Sequence, residues 1–330
     1  MGNRENVMPR NLRSWLVCAS ALSLLSPREA GAQDYPTRPI TFIVAFAAGG
    51  VADGIGRMVA QRLGETLKQT VVVENRGGAG GNLAARQVAT AAPDGYTILV
   101  TTTALAINET LHRNKGFSAN DLATVAIVAS SPEAFAVGKA NTATSLKEFL
   151  ANAKGKTINF GSAGVGSGSH IAAEYFFKEI AKVPATHVPF QGGAPAINAA
   201  VGNHIDLLSI TLGGGLVAQV RSGALKGLGV MSDKRVDTMQ DVPTFTETGF
   251  AGFQAASWVG LFVPAKTPAD IIAKLNGAVD AIVKQPDFQQ RLAALGFDAV
   301  TGDQASAARR FKDDVGEWGK RVNALGMKIE

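Results

Sequence analysis

ITFIVAFAAGG (residues 40–50) runs from an uncharged, β-branched and aromatic segment straight into small residues and two glycines. Residues 40–46 therefore read as a buried strand, and residues 47–50 as the turn that ends it. Helical spacing follows at Ile55, Met58, Val59 and Leu63. Residues 70–73 read as a second strand, the Gly-rich turn 76–81 opens another helix carrying Leu83 and Val88, and Pro93-Asp94-Gly95 is turn chemistry before a third strand at 96–100. This β-α-β-α-β order predicts a mostly parallel sheet flanked by helices.

The alternation then repeats. Strands are expected at 157–160, 186–190, 207–211 and 225–231, with Gly/Ser-rich turns at 161–168 and 191–193 before helices starting near His170 and Pro195. After an apolar segment at 258–263 the chain turns helical at 268–285, 286–295 and 304–325, with Pro268 and Pro286 placed for first helical turns. Two α/β units followed by a strand and helices predict a discontinuous first lobe (residues 33–132 and 250–330) with the second (133–249) inserted. Hinge crossings are expected near 130–136 and 244–257.

The bulk numbers agree with an exported two-domain protein. The chain has 330 residues, 46% hydrophobic and 18% charged, long enough for two cores. Arg4, Arg10 and Arg13 precede an apolar run at 15–25, then Pro27 and the triplet Ala30-Gly31-Ala32. That order is a signal peptide over residues 1–32, with cleavage expected after Ala32 and a periplasmic destination. The apolar run is about half the length that spans a bilayer. The one cysteine, Cys18, lies inside it, so the mature chain needs no disulfide. Arg4, Arg10, Arg13 and Arg28 against Glu5 and Glu29 give the first 32 residues +2 of the formal +5, which leaves +3 scattered over the remainder. Nothing there forms the basic stripe of a nucleic-acid binder.

Three turns carry free backbone N–H groups into helix starts: 47–53, 161–170 and 191–194. Helix starts of this kind suit a carboxylate or phosphate. Ser162, Ser167 and Ser169 add hydroxyls. Gly-rich turns are also simply how such sheets are built. No Walker loop, G-x-G-x-x-G fingerprint, nucleophile elbow or H-E-x-x-H occurs. The histidines, His112, His170, His187 and His204, have no metal-ligand spacing; His170 and Glu174 make a two-ligand pair at most. Neither cofactor nor metal is expected. His187, in an apolar strand, reads as a core histidine.

VENRGGAGGNLAA (73–85), PDGYTIL (93–99), HVPFQGGAPA (187–196), DVPTFTETG (241–249) and WVGLFVP (258–264) occur in order with sensible spacing. Together they resemble the Bug family, the extracytoplasmic receptors of tripartite tricarboxylate transporters, from about residue 35 to the C-terminus. The resemblance implies a type II periplasmic-binding-protein fold, α/β, of two hinged lobes. It also implies a monomer that captures a small carboxylate between them for a membrane transporter or sensor, without catalysis. Ligand roles carry over to Phe46, Ala47, Gly49, Gly50 and Asp53 in the first loop, to Thr103 and Asn108 in the third, to Ser162, Gly164, Ser167 and His170, and to Gln191, Gly192, Gly193 and Ala194. Asp53 is equally readable as a first-turn acid favoured by the helix dipole. Ala52 stands where the family often has Ser or Thr, and Ser209, Ile210 and Thr211 replace a segment that often carries an aromatic and an acid. Citrate, a C4 dicarboxylate, an acidic amino acid and an aromatic acid all remain compatible. A secreted hydrolase or lyase on the same scaffold, or an inorganic oxyanion receptor, are the competing readings.

Overall fold

β1 (Ile40–Val44) is buried on both faces, as a central strand must be, with only Thr41 partly exposed. In the computed structural model, which describes residues 1, 2 and 35–330, it opens a compact unit of residues 38–330. The described residues before that unit hold no regular element, and the expected signal segment lies outside the described residues apart from Met1 and Gly2. α1 (Val51–Leu67) buries Ala52, Ile55, Val59 and Leu63 at helical spacing against the sheet, and ends on Lys68 in the left-handed region. β2 (Val71–Asn75), α2 (Asn82–Ala89), β3 (Thr97–Thr102) and α3 (Ala104–Leu111) complete the first repeat. β1 lies parallel to both β2 and β3.

β4 (Leu122–Gly138) is a single 17-residue strand, and the hinge crossing expected near 130–136 lies within it. It is followed by α4 (Leu146–Asn152), β5 (Ile158–Ser162), α5 (Gly168–Tyr175) with a π-helical extension over Phe176–Ala181, β6 (Ala185–Pro189), α6 (Gly193–Val201), β7 (Leu207–Thr211), α7 (Gly214–Arg221) and β8 (Leu225–Val230). β9 (Ala256–Pro264), α8 (Ala269–Val283), α9 (Pro286–Ala294), β10 (Asp298–Ala299) and α10 (Gln304–Leu325) end the chain. α10 starts on Asp303, whose carboxylate accepts from the Ser306 N–H at 2.8 Å, and stops at Gly326.

The strand order is β2-β1-β3-β9-β4-β7-β5-β6, with β8 and β10 also on β4. The sheet is mixed, where the alternation alone predicted mostly parallel ones. β5 is parallel to β6 and β7, but β9 runs antiparallel to β3 and β4, and β4 antiparallel to β7 and β8. The antiparallel pairs arise because β4 and β9 carry the chain across the molecule and back. β4 changes partners along its length: Pro132 opposes Ala256 on β9, and the next residue, Glu133, opposes Thr211 on β7. Beyond that point an aromatic cluster fills the core, with Phe135 at 5.3–5.6 Å from the rings of Phe176, Phe177 and Phe245. Among the described residues no helix is long and apolar enough to cross a membrane.

Candidate functional site

β1, β5 and β6 each run into a helix, and in a doubly wound sheet ligands gather beyond the carboxyl ends of such strands. The first turn, residues 46–50, is exposed from Ala47 to Gly50, with Phe46 half-buried. Its shape is held by Asp53, which is 4% exposed. One Asp53 oxygen accepts from the Gly49 N–H at 2.9 Å, and the other accepts from Arg57 Nε and Asn75 Nδ2, both at 2.9 Å. Asn75 also donates to the Phe46 carbonyl at 3.0 Å. Burial works to raise the Asp53 pKa, but the bonds from Arg57, Gly49 and Asn75 outweigh it and hold the carboxyl below its ordinary value. Asp53 is thus an anionic brace for the loop, and Gly49, at φ 81°, supplies the turn and donates inward to it.

Thr103 is fully buried, and its hydroxyl accepts from the Trp258 N–H at 2.8 Å, bracing the corner between β3 and β9. Asn108 lies on α3, not in the loop before it, and is 1% exposed. Its Nδ2 donates to the Gly80 carbonyl at 2.9 Å and to Asn82 Oδ1 at 3.0 Å. Asn82, buried at the start of α2, is absent from the residues singled out by sequence. Its partner stands 26 positions away and no local pattern joins them.

The β5–α5 turn is a closed polar network. Ser162 Oγ lies 2.7 Å from His187 Nε2, and Ser167 caps α5 by accepting from the His170 N–H at 3.2 Å while donating to the Gly164 carbonyl at 2.7 Å. Ser169 Oγ is 3.0 Å from Ser167 Oγ and accepts from the Ala163 N–H. His170 Nδ1 accepts from the Gly166 N–H at 3.2 Å, so the neutral ring carries its proton on Nε2. The two imidazoles stack with centroids 3.8 Å apart, and Phe160 also stacks on His187, with centroids 5.1 Å apart. Gln191 and Ala194 are exposed, and Gly192 and Gly193 partly so. The Gly192 N–H reaches the Ala163 carbonyl at 3.2 Å, joining the third turn to the second. No side chain caps α1 or α6.

These turns meet. A side chain on Gly81 would lie 3.5 Å from Phe46 Cζ, one on Gly80 would lie 3.1 Å from Asn108 Nδ2, and one on Gly166 would lie 3.2 Å from Asn108 Oδ1. Asn108 is therefore the junction between turns from the two ends of the sheet. Behind it, where β4 changes partners, Glu133 is fully buried. Its Oε1 accepts from Ser257 at 2.6 Å and Thr211 at 3.1 Å, which ties β4 to β9 and β7. A separate groove of about 750 Å³ flanks the crossing segments, lined by Arg310, Arg321, Asp233, Asp298 and Asp314 among others. Its mixed charges favour no anion, and none of the turn residues lines it.

The Ser162–His187 pair has the elements of a nucleophile and base, but the hydroxyl is buried and no charged group influences the ring. Burial alone holds His187 down to about 4, and burial together with His187 holds His170 down to about 3. Burial pushes Glu133 up to about 7 despite the bonds from Ser257 and Thr211. A pH dependence follows. Between the ordinary carboxyl and imidazole values, 4.5 and 6.5, the unfolded chain binds two histidine protons that the folded protein rejects, while folded Glu133 keeps one that the unfolded chain loses. These three groups alone contribute a net of one proton, a rise of stability with pH of about 1.4 kcal/mol per unit over roughly pH 5–6. Glu133→Gln removes the opposing contribution, so urea unfolding across that range should show a slope steeper by about 1.4 kcal/mol per pH unit. An unchanged slope in the variant would mean that Glu133 is ionised in the folded protein.

The model of the tripartite tricarboxylate transporter family receptors matches residues 55–327. A UPF0065 protein of Agrobacterium vitis is 32% identical over 98% of this chain and 95% of its own length. Among solved structures, the periplasmic binding protein BugD superposes with a TM-score of 0.80 at 32% identity, over 89% of this chain and 100% of that one. MatC from Rhodopseudomonas palustris with bound malate gives 0.79 at 32% identity, over 87% and 100%. An R. palustris protein with adipate gives 0.83 at 29%, over 89% and 100%. The matched family is one of solute receptors, not enzymes, and this chain, a solute-binding receptor of the same α/β fold as BugD, belongs to the tripartite tricarboxylate transporter receptor family.

Proposed function

We propose that the chain captures a small carboxylate between two lobes, residues 33–132 with 250–330 and residues 133–249, in the periplasm after removal of residues 1–32. The partner change in β4 at Pro132 and Glu133 supports that division. Ligand contacts from both lobes favour the closed form, which a membrane transporter or sensor then recognises in the monomeric receptor. The observation that carries this reading is the convergence around Asn108, against which the turns after β2 and β5 lie while the turn after β1 packs on the β2 turn at Gly77 and Gly81. The first turns of α1, α5 and α6 point N–H groups and the positive ends of their dipoles at an anion. Relatives with malate and adipate bound support a carboxylate over an inorganic anion. Phe46, Ala47, Gly49 and Gly50 then act through backbone and shape, with Ser162, Gly164, Ser167 and His170 opposite and Gln191, Gly192, Gly193 and Ala194 beside them.

Thermal unfolding of the mature protein, refolded free of carried-over ligand, tests this against a panel of carboxylates, phosphate and sulfate. A ligand at 100 times its Kd should add about 2.7 kcal/mol of stability. Stabilisation by a carboxylate supports the reading. Stabilisation by phosphate or sulfate alone transfers it to an inorganic oxyanion.

A further inference from the structure

Asn82 opens α2 and Asn108 lies on α3; they are 4% and 1% exposed and share one hydrogen bond, Asn108 Nδ2 to Asn82 Oδ1 at 3.0 Å. Asn82 Nδ2 and Asn108 Oδ1 are buried with no hydrogen-bond partner. Their orientations are not interchangeable. Asn108 Nδ2 faces two acceptors, the Gly80 carbonyl and Asn82 Oδ1, so turning that amide would set oxygen against oxygen twice. Turning Asn82 would set nitrogen against nitrogen. The unpartnered atoms are therefore one donor and one acceptor, both neutral. Gly166 from the opposite lobe covers Asn108 Oδ1, and its own N–H is already given to His170. It satisfies nothing on Asn108, and a side chain in its place would crowd the oxygen.

Buried donors and acceptors in native proteins find partners, and an acceptor beside a donor selects by charge as well as shape. A carboxylate oxygen accepts from Asn82 but is repelled by the lone pairs of Asn108 Oδ1. An ammonium donates to Asn108 but confronts the Asn82 amide protons. A hydroxyl does both with one oxygen, accepting from Asn82 and donating to Asn108. We infer that the Asn82–Asn108 pair is a hydroxyl-recognition subsite, which makes the receptor selective for hydroxy acids over the same acids without the hydroxyl. This rests on the carboxylate-capture reading above. Opening of the lobes draws Gly166 away and admits the ligand.

The experiment is titration calorimetry with matched pairs: succinate and malate, glutarate and 2-hydroxyglutarate, tricarballylate and citrate. In any pair that binds, the hydroxylated acid should bind at least tenfold more tightly. Asn82→Ala should bring the two members within about twofold by weakening the hydroxy acid far more than its partner, and Asn108→Leu should narrow the gap likewise while weakening both acids, because it also releases the Gly80 carbonyl. Alanine at the first residue of α2 is well tolerated, so Asn82→Ala reads the outcome even if Asn108→Leu does not fold. Equal affinities within the pairs overturn the subsite while leaving carboxylate capture intact. A preference that survives both substitutions also overturns it and assigns the pair to an internal water. Binding by none of the acids overturns capture and subsite together.

Discussion

Phe135→Ala is expected to destabilise the protein by about 3–5 kcal/mol, the usual cost of truncating a core aromatic. Phe135 is fully buried just after β4 changes partners, stacked on Phe177 at an interplanar angle of 8° and edge-on to Phe176 and Phe245. Those neighbours pack in turn against Phe250 and Phe253, so the gap borders rigid rings that cannot close over it. The loss combines transfer of the ring with an unfilled cavity and the edge-to-face contacts. In thermal unfolding it should lower Tm by about 4–7 °C at this chain length. Phe135→Leu should recover more than half of that. A drop of only a degree or two with alanine would mean that the cluster rearranges and is not the core of this half of the sheet.

Asp53→Ala should weaken ligand binding about a hundredfold although the carboxylate faces inward. Its two oxygens take three donors, from Gly49, Arg57 and Asn75, and hydrogen bonds to a charged partner contribute about 1.5–3 kcal/mol each. Gly49 and the Arg57 side chain are exposed and regain water, so the stability loss should stay near the lower end, about 2–3 kcal/mol. Binding suffers to a similar extent because the released turn no longer holds residues 46–50 in one shape, and that ordering must then be completed when ligand arrives. Asp53→Asn keeps an acceptor for Arg57 or Asn75 and should lie between. Calorimetric Kd values for any acid that stabilises the parent protein decide the matter. Unchanged affinity in Asp53→Ala would remove the first turn from the site.

The reading of Asp53 shows where sequence stops. Its place in a first helical turn is legible, and both a ligand role and a helix-end role fit it; that it braces the loop through Gly49 and Asn75 is visible only in the fold. His187 is only partly buried, on β6 at the end of the strand order, where a core position was expected, and its hydrogen bond to Ser162 depends on the register that sets Phe160 opposite His187 on the neighbouring strand. β4 was missed because Pro132 and Glu133 interrupt an otherwise apolar run, and local patterning reads such an interruption as a break. In the protein those residues sit where one strand passes from one set of partners to another.

Alternation of apolar runs with Gly-rich turns was enough, from the chain alone, to place an α/β fold, its turns and the boundaries of β7 and α10. These depend on local periodicity and backbone freedom, which neighbouring residues carry. Packing alone decided that the sheet is mixed, that Glu133 is buried where the crossing strand changes partners, and that Asn82 and Asn108 are left with one donor and one acceptor. Each of these depends on which groups come within about 3 Å of each other across tens of residues, a distance that only the folded chain sets.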